Sequence, residues 1–269
     1  MVNTVELRHS SGATALIHLH GAHVTSWKTA DGAERLFLSD RAEFKAGAAI
    51  RGGVPIVFPQ FAALGALPKH GFARTASWRL VSNDSPHAAV FELTSSAETL
   101  AIWPFKFVVT YQVTLGKDQL RMQLNVTNTD GKAFAFTAAL HTYLRTNDIE
   151  TVSVSGLQGL RYRDSANGNA EHIDSNEVVR FAGEVDRIYF DSSAPVLMRD
   201  SKHAIQCTAE GFSDTVIWNP GPVLSRKLAD MDDDGYKNMV CIEAAAIASP
   251  VRLAPNATWQ AAQVLVARS

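Results

Sequence analysis

The sequence predicts an all-β protein, built as a large antiparallel β-sandwich. Three observations predict it. Apolar residues recur with a period of two rather than 3.6. Gly, Asn, Asp and Pro punctuate the short apolar runs. No segment carries the sustained i, i+3, i+4 pattern of a long amphipathic helix. The length of 269 residues agrees, since all-β architectures often run to ~200–250 residues undivided. No internal repeat or low-complexity linker divides the chain, so residues 1–269 are expected to form one domain.

Taken in order, residues 13–27 read as the first strand region, and 88–94 as another. The clearest pair follows. Phe107, Val109, Tyr111, Val113 and Leu115 point one way, while Thr110, Gln112 and Thr114 point the other. Gly116, Lys117, Asp118 and Gln119 turn the chain. Leu120, Met122, Leu124 and Val126 then alternate with Arg121, Gln123, Asn125 and Thr127, giving an antiparallel hairpin with one wet face. Residues 133–144 and 151–154 read as strands, and the polar stretch 163–177 as a surface loop. Strands at 205–208 and 215–218 precede a second loop, 219–238, which holds Pro220, Gly221, Pro222 and an acidic cluster. Residues 239–246 and 259–267 complete the strands.

Composition narrows the function classes. Apolar residues make up 46% and charged residues 19%, which fits a soluble globular protein and excludes collagen, a coiled coil and a disordered tail. Lys plus Arg is 25 and Asp plus Glu is 27, a formal charge of −2 with no basic stripe, so nucleic acid is not an expected partner. Two cysteines, Cys207 and Cys241, are too few for a disulfide scaffold and show no short metal or redox spacing; two buried thiols are expected. The first eight residues do not read as a secretory signal, and no apolar run approaches the ~18 residues of a membrane span. A cytoplasmic monomer without a membrane partner is the expectation.

One region departs from the strand pattern. Arg51, Gly52, Gly53, Val54 and Pro55 lead through Phe58, Pro59, Gln60 and Phe61 to Pro68, Lys69, His70, Gly71, Phe72, Ala73 and Arg74. It is apolar enough to be buried yet carries four cationic or titratable side chains. Loops held on a rigid scaffold are where binding residues concentrate. His141 falls on the face opposite Phe134, Phe136, Ala138 and Leu140, beside the small Thr137 and Ala139. That leaves room for a ligand, although a histidine bonded to a backbone carbonyl would look the same. Glu243 is the only charge among residues 239–247. A carboxylate in a buried strand needs a partner or a purpose; either an arginine pair or a general base of raised pKa fits. Asp186 and Arg187 read, without further information, as exposed charges at a strand start.

Two motifs are set aside. His18 and His20 share a strand face, but His23 lies beyond Gly21 and no acid or cysteine completes a metal shell, so a solvated face is expected. Residues 230–235, Asp-Met-Asp-Asp-Asp-Gly, match the start of an EF-hand loop, but the twelfth position is Cys241 rather than the bidentate Glu. A turn before the Glu243 strand is expected there.

Several motifs together resemble the glucose-6-phosphate 1-epimerase branch of the aldose 1-epimerase, or galactose mutarotase-like, family. They are Arg51-Gly52-Gly53-Val54-Pro55, Phe58-Pro59-Gln60-Phe61, His70-Gly71-Phe72-Ala73-Arg74 with Trp78, Leu140-His141-Thr142-Tyr143, Asp186-Arg187-Ile188-Tyr189, Trp218-Asn219-Pro220 and 239–244. The resemblance spans nearly the whole chain. It implies a galactose mutarotase-like supersandwich that interconverts the α and β anomers of a hexose 6-phosphate with no metal or other cofactor. His141 matches the catalytic histidine and Glu243 the catalytic glutamate. Arg51, Arg74 and Asp186 match substrate-binding residues, and His70 matches a histidine near the sugar. Lys69 departs from the pattern, because the family usually carries Gln there; an ammonium would add a charge contact to a phosphate or change which sugar fits. The residues also leave open a mutarotase of unphosphorylated aldoses, a non-catalytic carbohydrate-binding sandwich, and a glycoside hydrolase using Glu243 and Asp186.

Overall fold

Period-two patterning is realised as three antiparallel sheets. The computed structural model describes residues 4–268, and all statements below concern them. Strands β1 (Thr4–Arg8), β2 (Thr14–His18) and β3 (His23–Lys28) pair in that order. An eight-stranded sheet runs β13 (Ala170–Ile173), β12 (Arg161–Asp164), β15 (Val185–Tyr189), β18 (Asp214–Asn219), β19 (Met239–Leu253), β9 (Phe134–Leu140) and β4 (Ile56–Val57), with β10 (Tyr143–Arg145) also on β19. A nine-stranded sheet runs β14 (Val178–Val179), β11 (Ser153–Ser155), β16 (Val196–Arg199), β17 (Ala204–Glu210), β20 (Thr258–Arg268), β8 (Gln119–Asn128), β7 (Phe107–Leu115), β6 (Ala88–Thr94) and β5 (Arg79–Ser85).

The β7–β8 hairpin has the expected register, with Val113 opposite Met122, Tyr111 opposite Leu124 and Val109 opposite Val126, all buried. Each such side chain contributes about 1.5–3 kcal/mol on burial. One core cluster draws Leu7 and Ile17 from the small sheet, Tyr111 and Leu124 from the nine-stranded sheet, and Leu140, Ile217 and Ile242 from the eight-stranded sheet. The opposite face of the eight-stranded sheet carries a second apolar cluster, including Val57, Ala139, Ile188, Val216 and Ala245. β19 is therefore apolar on both faces, which explains its continuous rather than alternating sequence. Where β19 bulges against β9 between Ala246 and Val251, Asp214 Oδ2 accepts from the backbone N–H groups of Ile247 (2.7 Å) and Ala248 (2.9 Å).

Three expectations need correction. Residues 13–27 form two strands, β2 and β3, separated by a turn. Residues 163–177 are not all loop: β12 and β13 form an edge hairpin, and the four residues of β13 are all exposed. β13, wet on both faces, carries no apolar alternation. The strand expected at 151–154 is present but shifted: Ile149–Thr151 is a 3₁₀ turn capped by Asp148, and β11 begins at Ser153. Helix is confined to α1 (Ala97–Ile102), closed by a Ser96–Thr99 capping box, and α2 (Gly221–Ser225). No helix is long and apolar enough to cross a membrane.

Candidate active site

The second face of the eight-stranded sheet is roofed by the 51–74 segment and by the loop containing α2. Between roof and sheet lies a cleft of about 360 Å³, within the range of small-ligand sites. Arg51, Lys69, His70, Arg74, His141, Asp186 and Glu243 all line it. The seven residues singled out in the sequence thus converge on one space.

Register explains the convergence. β19 places Cys241 opposite Tyr143 of β10 and Trp218 of β18, and Trp218 lies opposite Asp186 of β15. Alternation then puts Glu243 on the same face as Cys241, and His141 on the same face as Tyr143. His141 Nε2 lies 3.3 Å from Glu243 Oε1. The His141 ring stacks on Tyr143 (centroids 4.9 Å apart, planes at 12°), with the edges of Trp218 and His70 against it. The opposite sheet reinforces this spacing: Gln263 of β20 accepts from the Thr142 hydroxyl and donates to Ile242 O (2.9 Å). One buried amide thereby ties the residues next to His141 and Glu243.

Burial dominates the electrostatics. Glu243 is 1% exposed; desolvation, reinforced by the charge of Asp186, holds its carboxyl well above the usual range. His141 is held well below the usual imidazole value, first by burial and then by His70, Arg51 and Arg74. Both shifts favour the uncharged form of each group. Glu243 Oε2 and His141 Nδ1 are buried without a hydrogen-bond partner. No arginine pairs with Glu243; its close partner is His141. Asp186 is pushed up to about 6 by burial and by Glu184, with Lys69 opposing. It is half-buried on the cleft wall rather than an exposed strand-start charge.

The cationic roof is anchored. Arg51 donates to Tyr143 Oη (2.9 Å) and pairs with Asp230 (3.1 Å). Arg74 donates to Lys69 O (3.0 Å). The Nε atoms of both arginines are buried and unpartnered. His70 adopts φ 66°, and its Nδ1 accepts from Ala62 N (3.3 Å). Its pKa falls to about 3 through burial and the neighbouring Arg74, Lys69 and Arg51. Gly71 follows at φ 67°, and a Cβ there would strike Phe58 O. Lys69 is exposed at the cleft rim.

The three upstream histidines do not form a solvated face. His23 is fully buried and donates from Nε2 to Gly52 O (2.7 Å), with its pKa lowered to about 3 by burial. His18 is also buried, and His20 bonds Ala48 O (2.6 Å). Alternation along β2 and β3 predicts exposure there because it cannot anticipate a loop folding over the face. His23 is instead a support beneath Gly52 and Gly53, the turn that delivers Arg51. The acids of 230–234 are spent on cations: Asp230 on Arg51, Asp232 and Asp233 on Arg41, and Asp234 on Lys237. Sequence reasoning missed Tyr143, Trp218 and Asp230 as members of the site. Tyr143 was accessible through its position two residues after His141; the other two arrive by strand pairing and loop folding.

Comparison with known proteins shows the family. The sequence profile described as Aldose 1-epimerase matches residues 3–266. A Cenchrus ciliaris protein provisionally named a glucose-6-phosphate 1-epimerase is 38% identical over 95% of this chain and 82% of its own length. An Escherichia coli K12 protein with the same provisional name is 40% identical over 84% of this chain and 78% of its own. A crystal structure from Salmonella typhimurium, provisionally named a mutarotase, superposes with a TM-score of 0.92 at 34% identity, covering 100% of this chain and 91% of that one.

Proposed function

The chain belongs to the aldose 1-epimerase family and is an isomerase, and on that premise we propose that it interconverts the α and β anomers of a hexose 6-phosphate, glucose 6-phosphate foremost. The observation that carries this reading is the buried His141–Glu243 pair, 3.3 Å apart, beneath a roof bearing Arg51, Lys69 and Arg74.

Ring opening moves two protons. Glu243 takes the proton of the anomeric hydroxyl, the C1–O5 bond breaks as a carbonyl forms at C1, and His141 gives its proton to O5. Rotation about C1–C2 presents the other carbonyl face, and the same groups close the ring in reversed roles. The two oxygens share one carbon, so groups only 3.3 Å apart reach both. The neutral pair of the free enzyme and the carboxylate–imidazolium pair of the reacting enzyme hold the same number of protons. A single transfer across the pair converts one into the other, so the mechanism needs no proton from solvent. Each positioned proton-transfer group contributes about 10²–10⁴-fold.

Arginine suits the phosphate because its fork of donors keeps its charge. Arg51 and Arg74 line the cleft with their buried Nε atoms unpartnered, and Lys69 adds an exposed charge at the rim. Asp186, also on the cleft wall, would receive sugar hydroxyls. A second reading, mutarotation of unphosphorylated aldoses, draws support from Arg51, whose terminal nitrogens are already engaged by Tyr143 and Asp230.

The test is anomer exchange by NMR on glucose 6-phosphate and on glucose, with wild type and His141→Ala side by side. Fast exchange of the phosphorylated sugar, lost in the variant, supports the proposal. Equal rates on both sugars favour the second reading, and no acceleration on either sinks both.

A further inference from the structure

His141, Glu243 and Cys241 are the one group of three His, Cys, Asp or Glu donors close enough to share an ion among the described residues; their ligand atoms lie within 4.8 Å of one another. All three are buried. Proton transfer in the proposed reaction uses two of them and leaves Cys241 unexplained. Cys241 stands two residues before Glu243 on the same face of β19, opposite Tyr143 and Trp218. Phe37, Met231 and Met239 pack around it. Beside it, Glu243 Oε2 is buried with no partner.

We propose that this trio is a binding site for Zn²⁺ or a similar borderline-soft divalent cation, and that the ion inhibits the enzyme by occupying its acid–base pair. Imidazole nitrogen, thiolate sulfur and carboxylate oxygen are the three donors that zinc prefers, at about 2.0–2.3 Å. Tetrahedral ligands at such distances lie about 3.3–3.8 Å apart. The His141–Glu243 separation of 3.3 Å already meets that spacing. The remaining separations need only side-chain adjustments, since all fall within 4.8 Å. His141 and Glu243 both face the cleft, which leaves the fourth position open to water or to a sugar hydroxyl. Binding releases two protons, that of the Cys241 thiol and the one held between His141 and Glu243. An enzyme so occupied has neither base nor acid to offer the anomeric centre. The ion site rests on geometry alone; the inhibition rests on the catalytic reading above.

Two readouts separate those parts. Co²⁺ titrated into the full chain should give thiolate-to-metal charge-transfer absorption saturating at one equivalent. Cys241→Ala and the volume-preserving Cys241→Ser should lose it, while Cys207→Ala, which alters the other buried thiol, should keep it. Zn²⁺ titrated into the anomer-exchange assay should then inhibit wild type and Cys207→Ala alike. Losing a direct ligand should raise the inhibitory Zn²⁺ concentration at least ~10–100-fold in both Cys241 variants, each compared with its own metal-free rate, because even partners of ligands are worth that much. No absorption in wild type, or equal inhibition of wild type and Cys241→Ala, would overturn the site. Absorption with an undiminished rate would leave the ion site standing and remove His141 and Glu243 from the chemistry.

Discussion

Replacing Glu243 with Gln changes one atom and little else. The side chain is 1% exposed, with one oxygen 3.3 Å from His141 Nε2 and the other unpartnered. An amide has the shape of the protonated acid that burial already enforces, and its N–H can donate to the same imidazole. Geometry should therefore survive while the proton acceptor is lost. The expected loss in anomer exchange is ~10²–10⁴-fold, or about 2.7–5.4 kcal/mol of barrier at about 1.36 kcal/mol per decade. Stability should move the other way. Because the folded-state pKa is raised, the native chain holds the Glu243 proton at pH values where the unfolded chain has released it. Wild-type stability then falls as pH rises from the ordinary carboxylate value through the raised one. The Gln variant lacks that slope and should melt no lower than wild type at neutral pH. NMR exchange and calorimetry on the same samples give both quantities. A folded Glu243→Gln that exchanges anomers at the wild-type rate would refute the argument.

Three further outcomes follow from the same geometry. The rate should be bell-shaped in pH, falling on the acid side when the His141–Glu243 pair takes up a second proton and on the alkaline side when it loses its only one; the raised Glu243 and lowered His141 values widen the plateau. A flat profile over the whole range would exclude that pair. Arg51→Ala should lower kcat/KM on glucose 6-phosphate by ~10–150-fold, the worth of a hydrogen bond to a charged group at about 1.5–3 kcal/mol, and leave glucose nearly unaffected; equal losses on both sugars would show that Arg51 does not hold the phosphate. Asp214→Ala removes the acceptor of two backbone N–H groups at the β19 bulge, that of buried Ile247 and that of Ala248 at the surface. It should cost about 3 kcal/mol and lower Tm by ~6–12 °C at this chain length, as calorimetry would show; an unchanged Tm would mean the bulge holds itself.

The β7–β8 hairpin was legible because its strands are adjacent in sequence, alternate cleanly and face one core. β13 was not, because exposure on both faces removes the alternation that identifies a strand. The site shows the same division. His141 and Glu243 each stood out locally, one by its small neighbours and one as a lone charge in an apolar run. Their closeness depends on β10 pairing with β19 about a hundred residues away, and no local pattern encodes that. The family resemblance supplied it instead. Lys69, His70 and Arg74 were found from a loop too apolar to be a simple connector. Trp218 and Asp230 were missed because only the pairing of β18 and the folding of the 219–238 loop bring them in. His23 was misread for the converse reason: a loop from elsewhere covers a strand face that looks wet in isolation.

Asp186, Trp218, Cys241 and Tyr143 form a row across four strands. Such a row restricts how a gene encoding this sheet can change in length. Inserting or deleting one residue within β19 ahead of Glu243 would turn the carboxylate into the sandwich and bring an apolar neighbour to the cleft. No compensating slip is available, because β18 and β10 hold β19 from both sides. Insertions are tolerated better where no ladder counts residues, as in the 62–69 stretch beyond β4 and in the loop that follows β18. On the proposed reading, those two segments carry groups that would meet the far end of the substrate, whereas the anomeric carbon would be met from the sheet. Descendants of this chain would therefore be free to change which sugar they accept by altering loop length, while the pair proposed to open the ring stays in frame.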